Sequence, residues 1–314
     1  MPADDTHITL LGPQRKPHLA QVVASLGLGD ARFATINAGW REREPDDALL
    51  SETLGSNTVN PRLWHRMQRI WDVDPEFAQA DQDRRRVLEE MQQLYLLGLD
   101  HALSALKELL HLTPHHPGVV DLAVLDAEEI VRQMDARHIE RVEAQYAEFW
   151  ENWKPHHRDS IARERSEISH ELSQVQGIIL TGGHVGVLMG AMNLFNIAPA
   201  LDVPIIAWGA GAMALTERVV LFHDRAAHGP AIAEVYRSGL GLVRHTVALP
   251  SPGDRLDVTN ATRMGLLARR FDPARSLLLG AGVQVHIGYD GALPPTAPVL
   301  ASDGSTTTLD GRAA

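Results

Sequence analysis

The chain has 314 residues, 44% of them hydrophobic and 5% aromatic, with a formal net charge of -11; this suits a helix-rich globular protein with a sizeable core and excludes a disordered chain. The acidic balance speaks against nucleic acid as a partner, because phosphate backbones repel it, and the absence of cysteine excludes disulfides, thiolate metal sites and a cysteine nucleophile. No basic region leading into a long apolar run opens the chain and no stretch approaches a membrane span, so the sequence predicts a cytoplasmic protein without a membrane partner.

In chain order, His7 to Leu11 reads as a first strand ended by Gly12-Pro13. Pro17 to Leu28 has helical spacing, with Leu19, Val22, Val23 and Leu26 on one face, and Arg32 to Asn37 reads as a second strand. This strand–helix–strand opening favours a parallel sheet. Asn60-Pro61 then predicts an N-cap followed by proline at the first helical position, with Trp64, Met67, Ile70 and Trp71 recurring at helical spacing. A longer helix is predicted over about 80–111, stopped at Thr113-Pro114. Its run Arg84-Arg85-Arg86, followed by Glu89 and Glu90, reads as a solvated helix face.

Val119 to Leu125 suits a third strand, and Asp126 the cap of a further helix that continues to Trp153 and breaks at Lys154-Pro155. A polar helix over about 158–175 leads to a strand at Gly177 to Leu180, a Thr181-Gly182-Gly183-His184 turn and a helix from Val185 to Phe195. Val203 to Trp208 is the next strand, and Gly209-Ala210-Gly211-Ala212 opens a helix. Leu242 to Leu249 and Ser276 to Gly280 are further strands, with a helix over Arg263 to Arg270 between them.

The predicted architecture is therefore α/β: one domain over 1–300 with a doubly wound, mostly parallel sheet. Helical elaborations at about 58–113 and 127–173 interrupt it, and a flexible tail is expected over 301–314. The elaborations cover the sheet or offer a surface for a homodimer or other partner; five of the six tryptophans lie between 40 and 153.

The segment Val203 to Met213 is the most informative. An apolar strand runs into a turn of small residues and then a helix, the layout of a nucleophile elbow, in which a strained turn leaves room only for small neighbours. With the order and spacing of the surrounding motifs, the chain resembles the serine peptidase family of dipeptidase E and cyanophycinase, within the class I glutamine amidotransferase-like fold. The family's Gly-x-Ser-Ala-Gly-Ala elbow is matched by Ala207, Trp208, Gly209, Ala210, Gly211 and Ala212. Its upstream Gly-Gly turn is matched by Leu180-Thr181-Gly182-Gly183, and its Gly-Leu-Gly-Leu segment by Gly239-Leu240-Gly241-Leu242. The resemblance covers about 177–245, and more loosely 7–40 and 118–126.

The departures from the family are in the chemistry. Gly209 stands where the nucleophilic serine would, and Val247 to Gly253, where the family carries its histidine, has none. A later Asp-Glu pair of the family is replaced around Gly282-Val283-Gln284. The resemblance thus implies a peptidase-like protein without nucleophile or general base, in a ligand-binding, regulatory or assembly role. It also implies that the N–H groups of Gly183 and Ala210 form the old oxyanion hole. The expected pocket is Gly182, Gly183, His184, Gly209, Ala210 and Thr216, with a small peptide or other anion as its ligand and no cofactor or metal.

Three other readings remain open at this stage. One is an active hydrolase whose nucleophile has moved to Thr181, Thr216 or Ser251, with His184, His223 or His245 as base. Another is a dinucleotide fingerprint over Gly209 to Ala214; it wants an acidic residue about 20 positions on, and Asp224 comes too early. The third is a metal site among sixteen histidines, but these form no ligand-spaced cluster.

Overall fold

The structure, a computed structural model, describes residues 6–14, 18–113, 115–222 and 232–312. In chain order, β1 (Thr6–Leu11), α1 (Leu19–Ser25) and β2 (Phe33–Ile36) are followed by α2 (Ala48–Thr53), β3 (Thr58–Val59) and α3 (Leu63–Val73). Two helices of 37 residues come next, α4 (Pro75–His111) and α5 (Pro117–Trp153), then α6 (Asp159–Leu172). Alternation resumes with β4 (Gly177–Leu180), α7 (Val185–Leu194), β5 (Ile205–Trp208) and α8 (Ala210–Leu215). The chain continues through β6 (Arg218–Leu221), β7 (Glu234–Ser238), β8 (Thr246–Pro250), α9 (Pro252–Arg255) and α10 (Ala261–Phe271). It closes with β9 (Arg275–Leu279), β10 (Gln284–Gly288), β11 (Pro298–Leu300) and β12 (Thr306–Thr308).

The central sheet has the order β10-β1-β5-β4-β2-β3. Its strands are parallel except for β10, which closes the β1 edge antiparallel. The strands are short continuous apolar runs because both faces are covered. Ile36, Ile178, Leu180, Ile205 and Ala207 face a core shared with α3, α6, α7 and α8. Their neighbours Phe33, Ile179 and Ile206 face the opposite way, onto α1 and the α2 flank. One alternation of side chains thus feeds two helical layers, which is what makes the sheet doubly wound.

Beyond β5 the chain does not keep extending this sheet. β8 and β9 pair in parallel within a separate sheet of order β12-β11-β9-β8, and β6 and β7 form an antiparallel pair. A second core lies between these strands, α10 and the α4–α5 hairpin, with Leu99, Val131, Val235, Leu249 and Phe271 at its centre. Thr306–Thr308 pairs with β11, so the stretch expected as a loose tail carries a strand.

Three local expectations fail for identifiable reasons. Val119 to Leu125 lies in the first turns of α5, with Val119, Leu122 and Leu125 exposed. A short apolar run does not distinguish strand from helix, and Pro117 supplies the helix start, so Asp126 sits inside the helix and caps nothing. Asn60 does not cap α3 either. Its side chain is spent on Glu44 O, on Asp47 Oδ2 and on the Arg62 N–H. The buried Glu44 carboxylate instead accepts from the N–H groups of Trp64 and His65, at 3.1 and 3.0 Å. Lastly, the arginine run is not uniformly solvated: the Arg84 guanidinium lies 4.5 Å from the Tyr146 ring centroid and 4.6 Å from that of Phe149.

The two long helices, each ~55 Å at 1.5 Å per residue, pack on each other as one antiparallel hairpin. Its foot is tied. Asp74 caps α4 through the Phe77 N–H at 3.1 Å and receives Arg158, from beyond the end of α5, at 2.6 and 2.7 Å. Midway, Arg270 of α10 is buried against Asp135 of α5 by two bonds of 2.7 Å, with the Tyr95 hydroxyl of α4 bonded to both.

Candidate functional site

The register Ile36–Leu180–Ala207–Leu10 brings the carboxyl ends of four parallel strands level. The segments after β2, β4 and β5 therefore leave the sheet at one edge, the place where open α/β sheets bind ligands. The turn after β5 has elbow geometry: Gly209 takes φ 55° and ψ -121°. Glycine alone adopts this conformation without strain. A Cβ at Gly209 would lie 3.0 Å from the Gly182 Cα, a tight contact that a side chain at the elbow would have to relieve by shifting the Gly-Gly turn.

The neighbouring glycines let backbone pack on backbone. A Cβ on Gly211 would meet the Leu180 carbonyl oxygen at 2.3 Å, and the Gly211 N–H donates to Thr181 O at 2.9 Å. Gly183, at φ 118°, presses on Gly39, whose carbonyl accepts from the His184 N–H at 2.8 Å. Among the described residues, the Gly183 and Ala210 N–H groups meet no backbone or side-chain acceptor. A cleft of about 400 Å³ opens beside this turn, with Gly39, Trp40, Arg43, Gly183 and Trp208 in its wall.

Of the six residues predicted for the pocket, Gly182, Gly183, Gly209 and Ala210 come together at the sheet edge. His184 stands beside them as the N-cap of α7, its Nδ1 accepting from the Val187 N–H at 3.2 Å; in the neutral ring the proton then sits on Nε2. Partial burial lowers its pKa, and the Arg41 guanidinium lowers it further. Thr216 is not a pocket residue. It is fully buried at the C-terminus of α8, its hydroxyl within bonding distance of the carbonyls of Met213 (2.9 Å) and Arg218 (3.1 Å).

The other candidate nucleophiles and bases are similarly placed. The buried Thr181 turns its hydroxyl onto Gly182 O at 3.2 Å. Ser251 leads into α9 at the end of β8, in the other sheet. His245 lies exposed at a turn before β8, its Nδ1 3.5 Å from Glu217. His223 and Asp224 lie outside the described residues. The dinucleotide reading loses its framework, because α8 has six residues and β6 pairs antiparallel with β7.

Two residues that sequence reasoning missed also belong to this edge. Arg41 adopts φ 58° and ψ -125°, nearly the conformation of Gly209; for a residue with a side chain that strain clusters at functional sites. Tyr236 of β7 reaches the first turn of α7. A Cβ on Gly186 would lie 2.5 Å from its hydroxyl and 3.1 Å from the His184 Cε1, so phenol and imidazole face the same glycine. Neither residue carries a local sequence signal.

No family model matches the sequence, and no curated protein matches it. Among solved structures, a peptidase from an acI-B1 Actinobacterium aligns with a TM-score of 0.42 at 12% identity, over 95% of this chain and 91% of that chain.

Proposed function

We propose that this protein is a non-hydrolytic binding protein that takes an anionic, peptide-like ligand at the carboxyl edge of its parallel sheet, beside Gly183, His184 and Ala210. One observation carries the reading: the turn that would present a nucleophile presents Gly209, with the Gly182 Cα 3.0 Å from where a Cβ would begin. Nucleophilic catalysis needs a hydroxyl or thiol with a base in hydrogen-bond reach. Thr181 and Thr216 spend their hydroxyls on carbonyls, and the His184 Nδ1 is engaged by its own helix. The N–H groups of Gly183 and Ala210, without acceptors among the described residues, are the donors such a ligand would use.

The test is hydrolysis of a dipeptide library that includes Asp-Xaa and β-Asp-Arg substrates, followed by mass spectrometry. No turnover is expected from the wild type, which has no side chain at the turn, or from Gly209→Ser, whose Cβ would lie 3.0 Å from the Gly182 Cα and would require that glycine to shift. Wild-type turnover that disappears in Thr181→Ala or His184→Ala would replace this reading with that of a hydrolase with a displaced nucleophile.

A further inference from the structure

The foot of the hairpin meets the sheet edge next to the turn just described, and its chemistry is of another kind. Arg237 of β7 lies 3.9 Å from the centroid of the Tyr146 ring, and Arg84 of α4 lies 4.5 Å from the same centroid. Arg85 stacks on Trp71 at 4.5 Å. Asp81 pairs with both Arg84 and Arg85, and Glu143 approaches Arg237 only to 3.6 Å. Three guanidinium groups thus share two carboxylates, a local positive excess in a chain of net charge -11.

Hydrogen-bond bookkeeping at this cluster is short of acceptors. Arg237 has a side chain only 6% exposed. It directs its two terminal nitrogens to the Asn193 amide oxygen at 3.1 and 3.2 Å, while its Nε–H has no partner among the described residues. The Arg84 Nε–H and the Trp71 Nε1–H are in the same position. Neither the Tyr146 nor the Tyr236 hydroxyl bonds to any described residue, and both rings are half-buried. The Tyr236 phenol feels Tyr146, Arg84, Arg85 and Arg237 together. Buried donors without acceptors cost about 1–3 kcal/mol each. Three buried unpaired donors, on Trp71, Arg84 and Arg237, with two half-buried tyrosine hydroxyls beside the arginines, match the chemistry of a ligand that accepts.

We propose that the surface where α4, α5 and β7 meet the first turn of α7 binds a small multivalent oxyanion, held by Arg84, Arg85 and Arg237 and by the hydroxyls of Tyr146 and Tyr236. Guanidinium groups recognise carboxylate and phosphate through paired N–H donors, and the exposed Arg85 leaves one side open for entry. The Tyr236 hydroxyl faces the same glycine as His184, so the anion would sit against the edge proposed above as a binding site. The assignment rests on that reading and names the charge of the ligand.

The experiment is isothermal titration calorimetry of the full chain at low ionic strength. Sodium citrate and sodium pyrophosphate are the probes, and sodium chloride at matched ionic strength is the control. Saturable heat is expected with at least one probe. Citrate alone would identify a carboxylate-bearing ligand, pyrophosphate alone a phosphate-bearing one, and both a site that reads charge. Arg85→Gln should weaken binding about tenfold and Tyr236→Phe, which keeps the ring, about three- to fivefold. Leu122→Gln, on the exposed outer hairpin, should leave it unchanged. Matching unfolding midpoints show that the variants are folded.

No saturable heat up to about 10 mM of either probe, or affinity equal to wild type in both site variants, overturns the proposal. Neither probe has a peptide bond, so dipeptide turnover would sink the non-hydrolytic reading without altering the calorimetric result.

Discussion

The sheet edge and the hairpin foot lie side by side and are held together in opposite ways. At the edge, Gly39, Gly182, Gly183, Gly209 and Gly211 bring backbone against backbone, and the geometry depends on side chains being absent. At the foot and along the hairpin, long charged and aromatic groups do the joining: Arg84 and Arg237 against Tyr146, Arg158 on Asp74, Arg270 on Asp135. The first kind of contact has no adjustable atoms and tolerates no added volume. The second is directional and charged, and it fails when one partner is removed.

The largest expected effect separates the two most sharply. Asp135→Ala leaves the Arg270 guanidinium buried without its carboxylate and should cost about 3–5 kcal/mol in urea unfolding. Adding Arg270→Met should recover much of that loss, since a buried pair is weakly stabilising as a whole. Equal losses in the single and double variants would mean that packing, not charge, holds the hairpin there.

Acid should loosen the same region. The buried His138 ring stacks on Tyr95 at 4.1 Å and bonds to Gln92 at 2.7 Å. Burial holds its pKa down at about 4, with Asp135 raising it and Arg141 lowering it. The unfolded ring titrates near 6.5, so between these values the unfolded chain binds the extra proton. Stability contributed by this group is therefore complete above about pH 6.5 and is lost as pH falls toward 4, by as much as about 3 kcal/mol. Urea midpoints at pH 7.5 and 5 should differ more in the wild type than in His138→Gln; an equal difference would remove His138 from the account.

At the edge, Gly211→Ala places a methyl 2.3 Å from the Leu180 carbonyl oxygen. It should cost about 1–3 kcal/mol, the range for overpacking, with a small dependence on pH. The smallest effect belongs to the outer hairpin. Leu122→Gln, at a position 64% exposed, should shift stability by no more than about 0.5 kcal/mol.

This contrast also governs how much could be read from sequence. Glycine clusters after short apolar runs mark turns that local chemistry dictates, so the strand–turn–helix units around Gly182 and Gly209 were legible, as was the α/β class. The hairpin foot was not. Arg84 finds Tyr146 some sixty positions away, and Arg270 finds Asp135 across 135 positions; nothing near either arginine in sequence separates it from a solvated neighbour. Spacing from the elbow predicts Thr216 in the pocket, but α8 ends at Leu215 and turns that hydroxyl inward. Val119 to Leu125 misled for a related reason, since apolar residues on an exposed helix look like those of a buried strand.

The Asp74–Arg158 tie has a mechanical consequence. Because it fastens the start of α4 to the chain just beyond α5, the hairpin enters and leaves the domain at nearly one point. The Arg270–Asp135–Tyr95 cluster ties the hairpin a second time midway, so it behaves as a strut clamped at two stations and not as an arm swinging on a pivot. Farther out, Leu99 and Val131 share a core with Val235, Leu249 and Phe271, so a displacement along the hairpin passes into the strands and α10 as well as into its foot. Its length is therefore set together with the domain that carries it: one turn inserted in both helices between the two ties would carry Asp135 about 5 Å along the axis and away from Arg270.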